Sequence, residues 1–180
     1  MVASPSPEAA RPRYFAVSAP KLVVMSLASF GIYGFYWLYQ NWALERVHSG
    51  EDLSPLWRTF FSVIWIYSLL RRMRDTAGTL QISPNWTAGV TAVAYVLVTC
   101  ALFLPDPYWL ASLLVVIPLV PVQRTVNQVN AHLAPDIPKN DSYSGKNLIL
   151  IVVGLIFYIL VILGMTVPAE NDTFTSWVLA

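Results

Sequence analysis

The chain has 180 residues, of which 56% are hydrophobic and only 12% charged, far below the quarter or so of charged residues usual in soluble domains. Its formal net charge of +1 excludes the clustered basic face that binding to nucleic acid requires. A single cysteine, Cys100, excludes an internal disulfide, and no Cys/His spacing suits zinc. Composition therefore places the chain in the membrane class.

The first residues, "MVASPSPEAARPRYFAVSAP", are rich in proline and polar groups rather than built as a basic tip before an apolar core, so no cleavable signal peptide is expected. Residues 1–17 read as a polar tail, 18–168 as a helical membrane domain, and 169–180 as a short acidic tail.

The first hydrophobic segment, Leu22 to Tyr39, offers about 18 mostly apolar positions, close to the roughly 20 that cross a bilayer. Ser18 and Pro20 suit its opening. At 100° per residue Ala28, Gly31 and Gly34 fall on one side, a candidate packing face where a second backbone can approach. Tyr33, Tyr36, Trp37, Tyr39 and Trp42 gather at its end as an interfacial belt, and Glu45, Arg46 and His48 are expected in water.

In "SPLWRTFFSVIWIYSLLRRMRDTAG", Ser54 caps a helix that opens at Pro55 and ends near Gly78. Its uncharged core, Thr59 to Leu70, is about 12 residues long, which fits a short crossing or a re-entrant or interfacial element. Arg58 would snorkel at one end, with Arg71, Arg72 and Arg74 anchoring the other.

A third segment runs from Ser83 and Pro84 to Leu104 without a charge, with Cys100 as a packed thiol. "PDP" at 105–107 turns the chain into "YWLASLLVVIPLVPV", where Pro118 and Pro121 should kink the helix. Beyond the kink, Val122, Val126, Val129 and Leu133 recur at helical spacing, with Gln123, Asn127 and Asn130 on another face. These three amides can hydrogen-bond a headgroup, a peptide or a neighbouring helix. Asn147 to Val167 forms the last and most apolar span.

The expected fold is thus all-α and membrane-integral, with five hydrophobic helices: four clear or near-clear spans and a short second segment that spans or is re-entrant. With five crossings and the N-terminus inside, nine Lys and Arg lie inside and two outside; with a re-entrant second segment and the N-terminus outside, the split is eight to three. Both arrangements put the C-terminus outside.

No G-x-S-x-G or H-E-x-x-H occurs, and no acid, base and nucleophile set can be assembled, so no catalytic, cofactor or metal residue is assigned. His48 and His132 are the only histidines; they lie on opposite sides in the five-crossing arrangement and could meet in the other. The leading reading is a non-enzymatic protein whose helices associate with one another, a second copy or a membrane-protein partner. The rival is a transporter or lipid-binding module using a cavity lined by Tyr33, Trp37, Arg58 and Asn127.

Taken together, "YFAVSAPKLVVMSLASFGIYGFYWLYQNW", "SPLWRTFFSVIW" and "PDPYWLASLLVVIPLVPVQRTVNQVN" resemble a group of uncharacterised, mainly proteobacterial inner-membrane proteins. The first block is also similar to the glycine and aromatic signature of a domain-of-unknown-function family of small membrane proteins. The resemblance extends from about Tyr14 to Met165 and implies a bacterial cytoplasmic membrane and lipid surroundings, with no activity attached. Such relatives carry more Lys in the stretch corresponding to Gln40 to Arg58, where this chain has Arg46 and Arg58 and no Lys.

Overall fold

The computed structural model describes residues 11–166; the rest of the N-terminal tail and the acidic tail expected at 169–180 lie outside the described residues. Seven α-helices follow in order: α1 (Ala19–Ala28), α2 (Ile32–Ser49), α3 (Pro55–Phe60), α4 (Ser62–Thr79), α5 (Ala88–Cys100), α6 (Leu119–Leu133) and α7 (Gly145–Thr166). Two 3-10 stretches, Ala101–Phe103 and Tyr108–Val116, sit between α5 and α6. Among the described residues there is no sheet, only an isolated bridge between Val17 and Asn140.

The five-segment expectation needs correction. Among the described residues only two helical stretches are long and apolar enough to cross a membrane: Tyr108–Leu133 with 26 residues and Gly145–Thr166 with 22. The segment expected to span from Leu22 to Tyr39 is broken. Phe30 and Gly31 both take positive φ, 50° and 87°, and two left-handed residues in succession end one helix and start another in a new direction. Gly31 adopts this conformation without steric cost.

The chain then doubles back. Phe15, just before α1, donates its N–H to Asn41 Oδ1 and packs its ring edge-on to Tyr36, both on α2, so α1 and α2 form an antiparallel hairpin whose tip is Ser29–Gly31. Ten residues of α1 rise only about 15 Å, roughly half the thickness of a bilayer core.

The second segment behaves alike. Ser54 Oγ accepts from Trp57 N–H and Pro55 opens α3, which stops at Phe61. Across that break Arg58 of α3 lies over the Trp65 ring of α4, and Arg72 reaches back to pair with Glu51.

The third segment is α5 with its 3-10 extension, Ala88 to Phe103, an apolar helix shorter than either of those two. Thr87 caps it, accepting from Val90 N–H. After the turn at Pro105–Pro107 the chain returns as a 3-10 stretch to Val116 and becomes α-helical only past Pro118. Pro118 and Pro121 lack amide donors, so this junction is where the helix changes type. Trp86 Nε1 donates to Thr125 Oγ1, closing the hairpin at its base.

The core forms where α2, α4 and α6 meet, around Trp37, Trp42, Leu69, Met73, Val122 and Val126, all buried. The valine seam of α6 lies there, while Leu133 is half exposed. Cys100, expected to be packed, is exposed. α7 stands apart. Gly154 is its one buried residue, lying against the backbone of Ala28 on α1.

Candidate functional site

The amides of α6 and α2 enclose the chain's own N-terminal segment. Asn130 accepts the Tyr14 N–H at Oδ1 (3.0 Å) and donates from Nδ2 to the Tyr14 carbonyl (2.8 Å), matching both backbone groups of one residue. Asn127 Nδ2 donates to the Val17 carbonyl at 2.9 Å. Gln123, fully buried, shares its Nε2 hydrogens among the carbonyls of Phe15 and Val17 and Asn127 Oδ1, and accepts from Trp37 Nε1. Asn41 supplies the opposite wall, accepting from Phe15 N–H and donating to the Trp37 carbonyl. An extended segment would otherwise bury unpaired N–H and C=O groups, and these four side chains stand in for a neighbouring strand.

Next to this groove lies a charge cluster. Glu45, expected in water, has a side chain only 3% exposed, held between Arg13 at 2.7 Å and Arg72 at 3.1 Å. The Arg13 contact is a close ion pair set off the axis of a directed hydrogen bond. Arg72 also grips Glu51 through both terminal nitrogens, at 2.9 and 2.8 Å. That hydrogen bond holds the Glu51 carboxyl below its ordinary range. Tyr14 Oη lies 2.9 Å from Thr76 Oγ1 on α4, and burial pushes its phenol up to about 12 even though Arg13 pulls the other way.

The remaining sequence-singled residues are scattered. Arg58 is sandwiched over the rings of Trp42 (4.6 Å) and Trp65 (4.2 Å), a cation–π stack that leaves Trp42 Nε1 buried without a partner. Tyr33 lines a separate apolar groove of about 400 Å³ with Ala28, Tyr36, Leu150, Gly154 and Phe157. Tyr33, Trp37, Arg58 and Asn127 therefore do not surround one cavity. Gly31 and Gly34 have no neighbour within 4 Å of where a Cβ would stand, and face a small cavity of about 140 Å³ toward Tyr95 and Thr99.

Both histidines sit at the base of the bundle, each bonded to a backbone carbonyl: His48 to Pro12 and His132 to Gln128. Among the described residues no three His, Cys, Asp or Glu side chains converge to hold a metal ion. The Tyr14–Val17 groove was missed from sequence because its α6 partners lie 106 to 116 residues away and Asn41 lies 26 away on another helix.

An open groove remains between α1 and α6, of about 800 Å³. Val23, Val24 and Val120 form its apolar wall, and Arg124, Lys139 and Asp141 gather at its rim.

No family model, curated protein or solved structure matches the chain. Structure and comparisons together define a small protein of unknown activity that is all-helical among the described residues, with two helices there of membrane-spanning length.

Proposed function

We infer that the chain is a non-enzymatic, multi-pass protein of a bacterial cytoplasmic membrane, acting by association of its exposed apolar helices with a second copy or another membrane protein. The observation that carries this reading is α7: 22 residues, apolar all round, with a single buried residue. Water would penalise such a helix heavily, whereas hydrocarbon accommodates it.

The distribution of charge supports the same reading. The N-terminal segment, the 50–54 loop, the 80–87 loop and the 134–144 segment are tied to one another or to shared helix ends. The links are Tyr14 to Asn130 and Thr76, His48 to Pro12, Arg74 to the Trp86 carbonyl, and Asn140 to Ala16 and Lys21. Arg13, Lys21, Arg72 and Arg74 all bond within these segments and helix ends, which makes this the basic end of the molecule. With the basic end in the cytoplasm, α1–α2 and α3–α4 are re-entrant hairpins. The Tyr108–Leu133 stretch and α7 cross, and α5 with its shorter 3-10 extension crosses beside them where the bilayer thins to match it, so that the C-terminus is outside.

Thiol labelling tests this. In a Cys100→Ala background, a reagent that cannot cross the inner membrane should label Asp106→Cys and spare Ser49→Cys until the cells are lysed. Labelling of Ser49→Cys in intact, outer-membrane-permeabilised cells would restore five crossings. Light scattering in mild detergent should give a particle larger than one 20.1 kDa chain; a monomer would remove self-association.

A further inference from the structure

The groove between α1 and α6 has an apolar wall, with Val23 and Val120 half-buried and Val24 exposed, and carries the exposed charges of Arg124, Lys139 and Asp141. Val23 and Val24 lie a turn into α1 and Val120 at the start of α6, while Ser18 and Ala19, Arg124, Gln128, Lys139 and Asp141 lie toward the basic end of the molecule. Arg124 and Lys139 are exposed, and among the described residues neither is in an ion pair or a side-chain hydrogen bond. This contrasts with Arg13 and Arg72, and with Lys21, whose ammonium is bonded to Asn140 and the Ser142 carbonyl. Two uncommitted cations at the mouth of an apolar trough, at the level where hydrocarbon gives way to headgroups, complement a phosphate with an acyl chain below it. The volume of about 800 Å³ is in the range of ligand sites.

We propose that this groove is a phospholipid site in which Arg124 and Lys139 hold the headgroup phosphate and one acyl chain lies along Val23, Val24 and Val120. Asp141 specifies the headgroup. A carboxylate on the rim pairs with a primary ammonium and finds no counter-charge on a neutral glycerol headgroup, so the occupant is a zwitterionic phosphoethanolamine lipid rather than a phosphoglycerol one. The site rests on the membrane reading above.

The test is native mass spectrometry of the detergent-solubilised full chain titrated with phosphatidylethanolamine or phosphatidylglycerol. Carbonate extraction of the source membranes runs in parallel. The wild type should bind phosphatidylethanolamine more tightly. Arg124→Gln with Lys139→Gln should weaken binding by about tenfold or more, as loss of charge-assisted hydrogen bonds requires. Asp141→Asn should move the preference to phosphatidylglycerol. None of these side chains packs in the core, and unchanged thermal unfolding of the variants confirms that the fold is intact. A carbonate-resistant protein whose double variant binds lipid as well as the wild type overturns the site alone. Wild-type preference for phosphatidylglycerol overturns the headgroup assignment. Extraction of the wild type by carbonate overturns site and membrane reading together.

Discussion

Gly154 of α7 meets Ala28 of α1 so closely that a Cβ on residue 154 would collide with the Ala28 carbonyl oxygen. Tyr158, one turn on, donates its hydroxyl to the Leu27 carbonyl at 2.9 Å, and Phe30 stacks on its ring. Such backbone proximity is how helices gain dispersion energy where lipid removes the hydrophobic drive. Gly154→Ala should cost about 1–3 kcal/mol, since the obstacle is backbone that cannot swing aside. Gly154→Leu should separate α7 from the body and speed tryptic cutting after Lys139 and Lys146. Gly164→Leu is the control, because nothing lies within 4 Å of that position. Equal melting temperatures and cutting rates for both leucine variants would show that α7 is not held at Ala28.

Asn130 satisfies two backbone groups that lie in a buried groove, and hydrophobic replacement would strand both. At about 1–3 kcal/mol for each unpaired group, Asn130→Leu should lower stability by about 2–4 kcal/mol. The local consequence is more specific than the loss itself. Once the 14–17 segment loosens, trypsin should cleave after Arg13 faster in the variant than in the wild type. Destabilisation without faster cleavage at Arg13 would mean that Asn41, Gln123 and Asn127 hold the segment without Asn130.

The parts legible in the sequence were those written in local chemistry. Ser54 and Pro55 start α3, the proline pair at 105 and 107 turns the chain, and the apolar run of α7 reads directly as a long helix. The hairpin at Phe30–Gly31 was hidden because glycine among apolar residues reads equally as a packing notch or a left-handed break. Glu45 was hidden for another reason. At the end of an aromatic belt it looks solvated, and only the fold brings Arg13 and Arg72, 32 and 27 residues away, to enclose it. The face of Gln123, Asn127 and Asn130 was visible as polar chemistry on α6, but no periodicity encodes that backbone from the other end of the chain lies across it.

Glu45 and Glu51 share Arg72 and should respond differently to removal. Glu45 is enclosed, so Glu45→Gln leaves Arg13 and Arg72 without their common counter-charge and should cost about 1–3 kcal/mol, reduced from the fully buried case because both arginines reach solvent. Glu51→Gln should cost less, since its carboxylate is exposed. Salt separates the two: raising it to 1 M should erase most of the Glu51 effect and little of the Glu45 effect, because screening acts on exposed pairs. Equal salt sensitivity in thermal unfolding would show that Glu45 is as solvated as its partner.

Tyr14 makes stability fall in alkali. Burial raises its folded-state pKa to about 12, while an unfolded tyrosine ionises near 10. The fold therefore favours the neutral phenol. Its contribution is complete below pH 10 and is lost as pH rises from 10 through 12, because the unfolded chain gives up the proton first. Two units correspond to about 3 kcal/mol at the upper end. Tyr14→Phe should begin about 1 kcal/mol less stable at pH 8, having lost the hydrogen bond to Thr76, and should lack this part of the alkaline decline. The two stability curves should converge and cross between pH 10 and 12. Parallel curves across that window would show that the Tyr14 phenol ionises as freely in the folded protein as in the unfolded chain, and that the groove does not exclude water from it.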